Sequence, residues 1–285
     1  MARFANIEAG YVYITVEGVE YRVYIEQAGS GIPVLLQHTA GSDGRQWRHL
    51  LEDEEITRDF RLIAYDLPYH GKSLPPLAVR YWDTEYKLTK QWFMSFVVTM
   101  ARELELDRPV FMGCSMGGHL APDLALAHPE EFRAVIGVEA AAHSHGGDER
   151  RKYLWHPRVS NEAKAAMMHT LCAPTAPEPF RRETIWCYSQ GAPAVFKGDL
   201  HYYAVEHDVT ETARNIDTGK LDVYILNGDY DWSGTVAAGQ ALAAEINGAH
   251  WTRMEGLGHF PMSEDPVQFK KYLLPILAEI RERSA

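Results

Sequence analysis

The 285-residue sequence predicts an α/β fold built on a mostly parallel sheet. Three observations predict it. Short continuous apolar runs, such as Pro33-Val34-Leu35-Leu36 and Pro109-Val110-Phe111-Met112, have the composition of strands buried on both faces. These runs alternate with helical segments, as βαβ units require. Two strand-like segments around Gly18 precede the alternation and read as a hairpin, which adds antiparallel strands at one edge.

The elements follow in order. Residues 11–16 and 21–25 are rich in β-branched and aromatic side chains and form the hairpin. The run 33–36 is the third strand, followed by a polar loop over 38–44 and a helix near 46–54. Residues 60–65 are a strand, with a loop through 66–76 after it. Leu88, Trp92, Phe96, Met100 and Leu104 recur at four-residue steps, so 87–105 is a helix with one apolar face. A strand at 109–112 leads into a helix over 116–128 that stops at Pro129, and 134–138 is the next strand. From about 141 to 216 the alternation breaks, and the chain becomes dense in Pro, Trp, Tyr, His and Arg. A strand at 221–226, a helix near 236–246, a strand near 249–254 and a helix near 267–283 restore it. The expected organisation is therefore a core from 1–140 and 217–285, split by an inserted subdomain at 141–216.

Composition narrows the function. The net charge of −11 argues against nucleic acid as a partner, because phosphate binding needs clustered Lys and Arg. It argues less strongly against anionic membrane surfaces, and no run of about 18 apolar residues is present to span a bilayer. Cys114, Cys172 and Cys187 are an odd, widely spaced set, neither a disulfide framework nor a zinc pattern. His143, His145 and Asp148 also fit no common zinc spacing. No metal or cofactor is expected. The first residues lack the apolar run of a secretory leader, so a cytoplasmic location is expected. A homo-oligomer is left open.

The strongest chemical signal is Gly113-Cys114-Ser115-Met116-Gly117-Gly118, set between a strand and a helix. A nucleophile at such an apex is pushed into the cleft by strained backbone, and small neighbours let strand and helix approach. The Met116 N–H, at the helix N-terminus, then faces developing negative charge. Cys114 reads as a small packed residue. A serine hydroxyl needs a histidine base and an orienting carboxylate. His259 lies in a Gly-flanked loop after the last strand. Asn227-Gly228-Asp229-Tyr230-Asp231 follows the strand 221–226, at the sheet edge where catalytic groups collect. Asp231 is preferred as the acid, Asp229 as a turn residue, and Glu139 as an outside candidate.

Together these pieces resemble the α/β-hydrolase fold superfamily over essentially the whole chain. The matching segments are Gln37-His38-Thr39-Ala40-Gly41, Asp66-Leu67-Pro68-Tyr69-His70-Gly71-Lys72-Ser73, Gly113–Gly118, the Asp231 loop and Gly258-His259-Phe260-Pro261. The resemblance implies an α/β-hydrolase fold, a mostly parallel sheet flanked by helices with an inserted helical cap at 141–216. It implies a catalytic Ser115, Asp231 and His259. It also implies an oxyanion hole from Met116 and the His38 loop, with Ala40 or Thr39 as its donor. The chain has Thr39 where the family usually has Gly, and a β-branched residue disfavours positive φ. The Asp66–Ser73 segment resembles a structural loop. Ser115 separates the chain from relatives with an aspartate nucleophile, such as epoxide hydrolases, and points to a carbonyl substrate.

The expected activity is hydrolysis of a small carboxylic ester or related acyl compound through an acyl-enzyme. Carbon–carbon bond hydrolysis of the meta-cleavage-product type, lactonase and thioesterase activities are the alternatives. A non-catalytic ligand receptor of the same fold is a further one. His38, Trp155, Trp186, Tyr188, Trp232 and Phe260 are the candidate substrate-binding residues. The basic residues at 150–152, Arg181 and Arg182 are expected on a solvated face.

Overall fold

The computed structural model describes residues 2–144, 161–192 and 194–284. β1 (Glu8–Val16) and β2 (Val19–Ala28) form the hairpin. β3 (Ile32–Gln37), β4 (Phe60–Tyr65), β5 (Val110–Cys114), β6 (Ala134–Val138), β7 (Asp222–Gly228) and β8 (His250–Met254) complete one sheet. Its spatial order is β1-β2-β4-β3-β5-β6-β7-β8. β2 runs antiparallel to both β1 and β4, and the other pairings are parallel. The hairpin thus occupies one edge, as its pattern predicts.

The apolar runs are apolar because both faces are covered. Leu35, Phe111, Val135 and Ile225 point to one face. They pack under α1 (Lys90–Glu103) and α2 (Met116–Ala127). Leu36, Met112, Ile136 and Leu226, one residue along each strand, point to the opposite face. Among the described residues, three α-helices lie between β6 and β7: α3 (Asn161–His169), α4 (Glu178–Ser189) and α5 (Val195–His201). A π-helical turn, Tyr202–Glu206, continues α5. α6 (Val236–Glu245) and α7 (Pro266–Ser284) close the fold, with Phe269 and Leu273 of α7 on the second face.

The structure departs from the sequence reading at 46–54. A 3₁₀ turn (Gly44–Trp47) and a single α-turn (Arg48–Leu51) end before a separate turn, Glu54–Thr57. Asp53 is the reason, because its side chain accepts the N–H groups of Glu55 and Ile56 and starts a new helix. Among the described residues, no helix is long and apolar enough to cross a membrane.

Candidate active site

Ser115 sits between the last residue of β5 and the first of α2, at φ 57° and ψ −112°. Such a conformation costs a non-glycine residue about 1–3 kcal/mol and persists only where the surroundings enforce it. Here the Ser115 N–H donates to Val138 O at 2.9 Å, and its carbonyl accepts from His119 N at 2.8 Å and His119 Nδ1 at 2.9 Å. Close approach explains the glycines. A Cβ on Gly113 would lie 2.4 Å from Gly117 O, and one on Gly118 only 2.1 Å from Val138 O.

Asp231 and His259 meet as the chain order suggests. His259 Nδ1 donates to Asp231 Oδ2 at 2.6 Å, leaving Nε2 as the ring nitrogen without a partner among the described residues. Asp231 Oδ1 also accepts from Ser233 N at 2.7 Å, and Oδ2 from Gly234 N at 2.9 Å. Burial alone would raise the Asp231 pKa, but the His259 charge and hydrogen bond, with the Ser233 N–H, outweigh it and hold the carboxyl below its usual range. The ring of Phe260 meets the imidazole edge-on at 4.9 Å, and His259 N donates to Leu171 O at 3.0 Å. Asp229 instead pairs with Arg253 at 2.5 Å on the surface.

Glu139 is the third carboxyl here. It is fully buried at φ 55°, and the Gly228 N–H lies 2.9 and 3.0 Å from its two oxygens. Burial, and then the charge of Asp231, push its pKa well above the usual carboxylate range. The two neighbouring carboxyls are thereby pushed in opposite directions, Asp231 toward the ionised and Glu139 toward the protonated form.

In the candidate oxyanion turn, most N–H groups already have acceptors. Thr39 N donates to Gln46 Oε1 at 3.0 Å, Gly41 N to Asp199 Oδ2 at 2.6 Å, and Ser42 N to Thr39 O at 3.3 Å. Ala40 N has no acceptor among the described residues, and Ala40 lines the same cavity as Ser115 and His259. Thr39 is therefore corrected as a donor. Its hydroxyl is also engaged, with Gln46 and Tyr188. The left-handed residue of the turn is Gly41, at φ 67°, so the β-branched Thr39 is not strained. Met116 opens α2, where a first-turn N–H has no intrahelical partner.

The cavity measures about 140 Å³. Met167, Met168 and Leu171 line it from α3 and the turn after it. Phe196 and Leu200 come from α5, and Tyr203 and Ala204 from the π-turn. Tyr188 and Trp232 line it as expected, and the Trp232 indole donates to Thr170 O at 3.3 Å. Three other candidates are corrected. His38 is fully buried away from the cavity, with Nδ1 donating to Thr39 O at 2.8 Å and Nε2 accepting from Leu67 N at 3.1 Å. Trp186 is 65% exposed because it lies two residues from the buried Tyr188, on the other side of α4. Phe260 is buried behind His259 and Tyr188 rather than in the cavity wall. Trp155 lies outside the described residues, as do the basic residues at 150–152. Arg182 is exposed and paired with Glu178 at 2.6 Å, on a solvated face as expected.

A family model described as the alpha/beta hydrolase fold matches residues 32–266. The chain belongs to the α/β-hydrolase fold family. Within that family, an esterase from Thermogutta terrifontis superposes with a TM-score of 0.83 at 21% identity, covering 95% of this chain and 99% of that one. The chain is 33% identical over 129 residues to the bifunctional epoxide hydrolase 2 of Sus scrofa. It is 26% identical over 135 residues to the 2-hydroxymuconate semialdehyde hydrolase of Pseudomonas sp. (strain CF600). These matches take in 45% and 47% of this chain. They span less than half the length of these curated relatives, 21% and 45%. The hydrolase names of these proteins support a hydrolase.

Sequence reasoning missed the apolar lining of the cavity. Leu200 and Ala204 stand at i and i+4, a helical signal inside the stretch that reads as irregular. Gln46 and Asp199, the acceptors that fix the oxyanion turn, carry no sequence signature at all.

Proposed function

We propose that this protein is a serine hydrolase that cleaves small, uncharged carboxylic esters bearing an apolar acyl group. One observation carries the reading. Ser115, His259 and Ala40, whose N–H has no partner among the described residues, line one cavity, and apart from the catalytic set its walls are largely apolar. Ser115 Oγ attacks the ester carbonyl while His259 Nε2 takes the hydroxyl proton. Asp231 holds the Nδ1–H tautomer and stabilises the imidazolium. Ala40 N–H and Met116 N–H receive the oxyanion, a contribution of about 3–4 kcal/mol per donor. The imidazolium returns its proton to the leaving alcohol, and the acyl group remains on Ser115. His259 then activates water to release the acid.

The segment 141–216 acts as a cap in this reading. Its helices supply most of the acyl pocket and exclude water from the oxyanion site. No Lys or Arg is among the described residues that line the cavity. That lining suits a neutral ester better than the anionic dienoates of carbon–carbon hydrolysis.

The test is Ser115→Ala assayed on p-nitrophenyl butyrate. The reading predicts loss of turnover by at least about 10³-fold with the fold intact by circular dichroism. Turnover within tenfold of wild type would overturn it.

A further inference from the structure

A buried carboxylate from α5 reaches across to the oxyanion turn. Asp199 is fully buried, and its Oδ2 accepts both the Gly41 N–H at 2.6 Å and His70 Nε2 at 2.8 Å. Its Oδ1 accepts the Tyr86 hydroxyl at 3.1 Å. One side chain thus joins the segment 141–216 to three residues on two loops, the one after β3 and the one after β4.

Peptide planarity makes this contact one of three that hold the planes around Ala40. An N–H and the carbonyl before it are one rigid unit, so fixing one aims the other. Gln46 holds the Thr39 N–H, and so fixes the plane before Thr39. His38 Nδ1 donates to Thr39 O at 2.8 Å, which fixes the plane that carries the Ala40 N–H. Asp199 holds the Gly41 N–H, and so fixes the plane after Ala40. Three successive planes are pinned, and only the last is pinned from α5. Phe196 and Leu200 of the same helix line the cavity, so one carboxylate ties the pocket wall to the turn that carries the Ala40 N–H.

Charges around the contact are arranged for it. His70 Nδ1 faces Pro68 O at 3.0 Å and Nε2 faces Asp199, so both nitrogens meet acceptors, an arrangement that favours the protonated ring. Burial opposes that cation, but the Asp199 charge and hydrogen bond outweigh it and raise the His70 pKa. His38, its ring 4.8 Å from His70, is pushed down to about 4 by burial and by the His70 charge, and stays neutral. Lys164 of α3 also faces Asp199, with its pKa lowered to about 8 by burial. Asp43 and Asp66 complete the surrounding charges, and burial raises Asp66 to about 6.

We infer that Asp199, with His70 as its partner, is a positioning residue: by fixing the plane after Ala40 it holds the turn in the geometry that aims the Ala40 N–H at the oxyanion. This rests on the hydrolase reading above. Nothing in it requires Asp199 to touch the substrate.

The test compares Asp199→Asn and Asp199→Ala with wild type and Ser115→Ala. Ester kinetics are normalised by active-site titration, and thermal melting reports folding. Affinity is measured for a trifluoromethyl ketone, which forms an oxyanion adduct, and for the matching methyl ether, which does not. Asp199→Ala is expected to lower kcat by about 10–100-fold with KM within about threefold. Ketone affinity should fall by a like factor, and ether affinity should hold. Asp199→Asn keeps one acceptor oxygen and should recover most of the loss. Each ratio is read on the folded fraction, so a less stable variant still reports. Wild-type kcat in Asp199→Ala, or equal losses for ketone and ether, would overturn the inference. Full activity in Ser115→Ala would instead remove the hydrolase reading beneath it.

Discussion

Replacing Asp231 by Ala separates the proposed orienting acid from every other carboxyl near the site. The wild-type carboxylate lies 2.6 Å from His259 Nδ1 and is held below its usual pKa, so it is ionised throughout the working pH range. As His259 takes the Ser115 proton, a positive charge forms beside a fixed negative one. At an effective dielectric of about 20 and a charge separation of about 4 Å, that attraction is worth about 4 kcal/mol. Losing it costs about three decades in rate. Loss of the Nδ1–H tautomer and ring orientation adds about one more, giving a fall in kcat of about 10⁴-fold. The variant also strands the Ser233 and Gly234 N–H groups, at a cost to stability of about 1–3 kcal/mol each. The assay is therefore run on p-nitrophenyl butyrate at 20 °C, below the lowered melting point. Asp229→Ala, which loses only the surface pair with Arg253, is the companion and should stay within about twofold of wild type. The reasoning is refuted if Asp231→Ala keeps kcat within 100-fold of wild type, or if Asp229→Ala falls as far.

Other outcomes follow from the same geometry. Gly118→Ala drives a Cβ to 2.1 Å from Val138 O, a backbone atom that cannot retreat. It should destabilise the protein by about 1–3 kcal/mol or more. A melting temperature equal to wild type would contradict the elbow packing. Leu200→Trp fills the acyl side of the cavity. It should lower kcat/KM for the hexanoate ester at least about tenfold while acetate turnover stays near wild type; an unchanged chain-length profile would count against that wall. His38 has its pKa lowered to about 4 by burial, so the folded protein refuses a proton that the unfolded chain accepts. Its contribution to stability is complete above about pH 6.5 and is lost as pH falls toward 4, at about 1.4 kcal/mol per pH unit. Urea midpoints should fall across that window, and His38→Gln should flatten the slope by one proton; an unaltered slope would show that His38 is not the group responsible.

Much of the fold was legible because each central strand is covered on both faces and so is apolar at every position. Val110–Cys114 and Ala134–Val138 need no alternation to be read. The hairpin was legible from its β-branched residues and Gly18. The break at Asp53 was not, since an aspartate inside a helical stretch and an aspartate that caps a new turn look alike until the backbone is seen. Ser115, Asp231 and His259 stood out because each sits in a Gly-bearing turn after a strand. The choice of Ala40 over Thr39 was beyond the sequence, because it depends on acceptors from Gln46 and Asp199, the latter 158 residues from Gly41. The aromatic candidates fared unevenly for a related reason. Trp186 and Tyr188 are equally aromatic, and only the phase of α4 decides which one is buried.

The central claim is that an acyl group passes through Ser115. Wild-type protein mixed with p-nitrophenyl butyrate, quenched in acid within milliseconds and digested, is read by mass spectrometry. The account predicts a butyryl mass on the peptide carrying Ser115, and none there in Ser115→Ala. A butyryl group on another residue, or substrate consumed at the wild-type rate by Ser115→Ala, would contradict it.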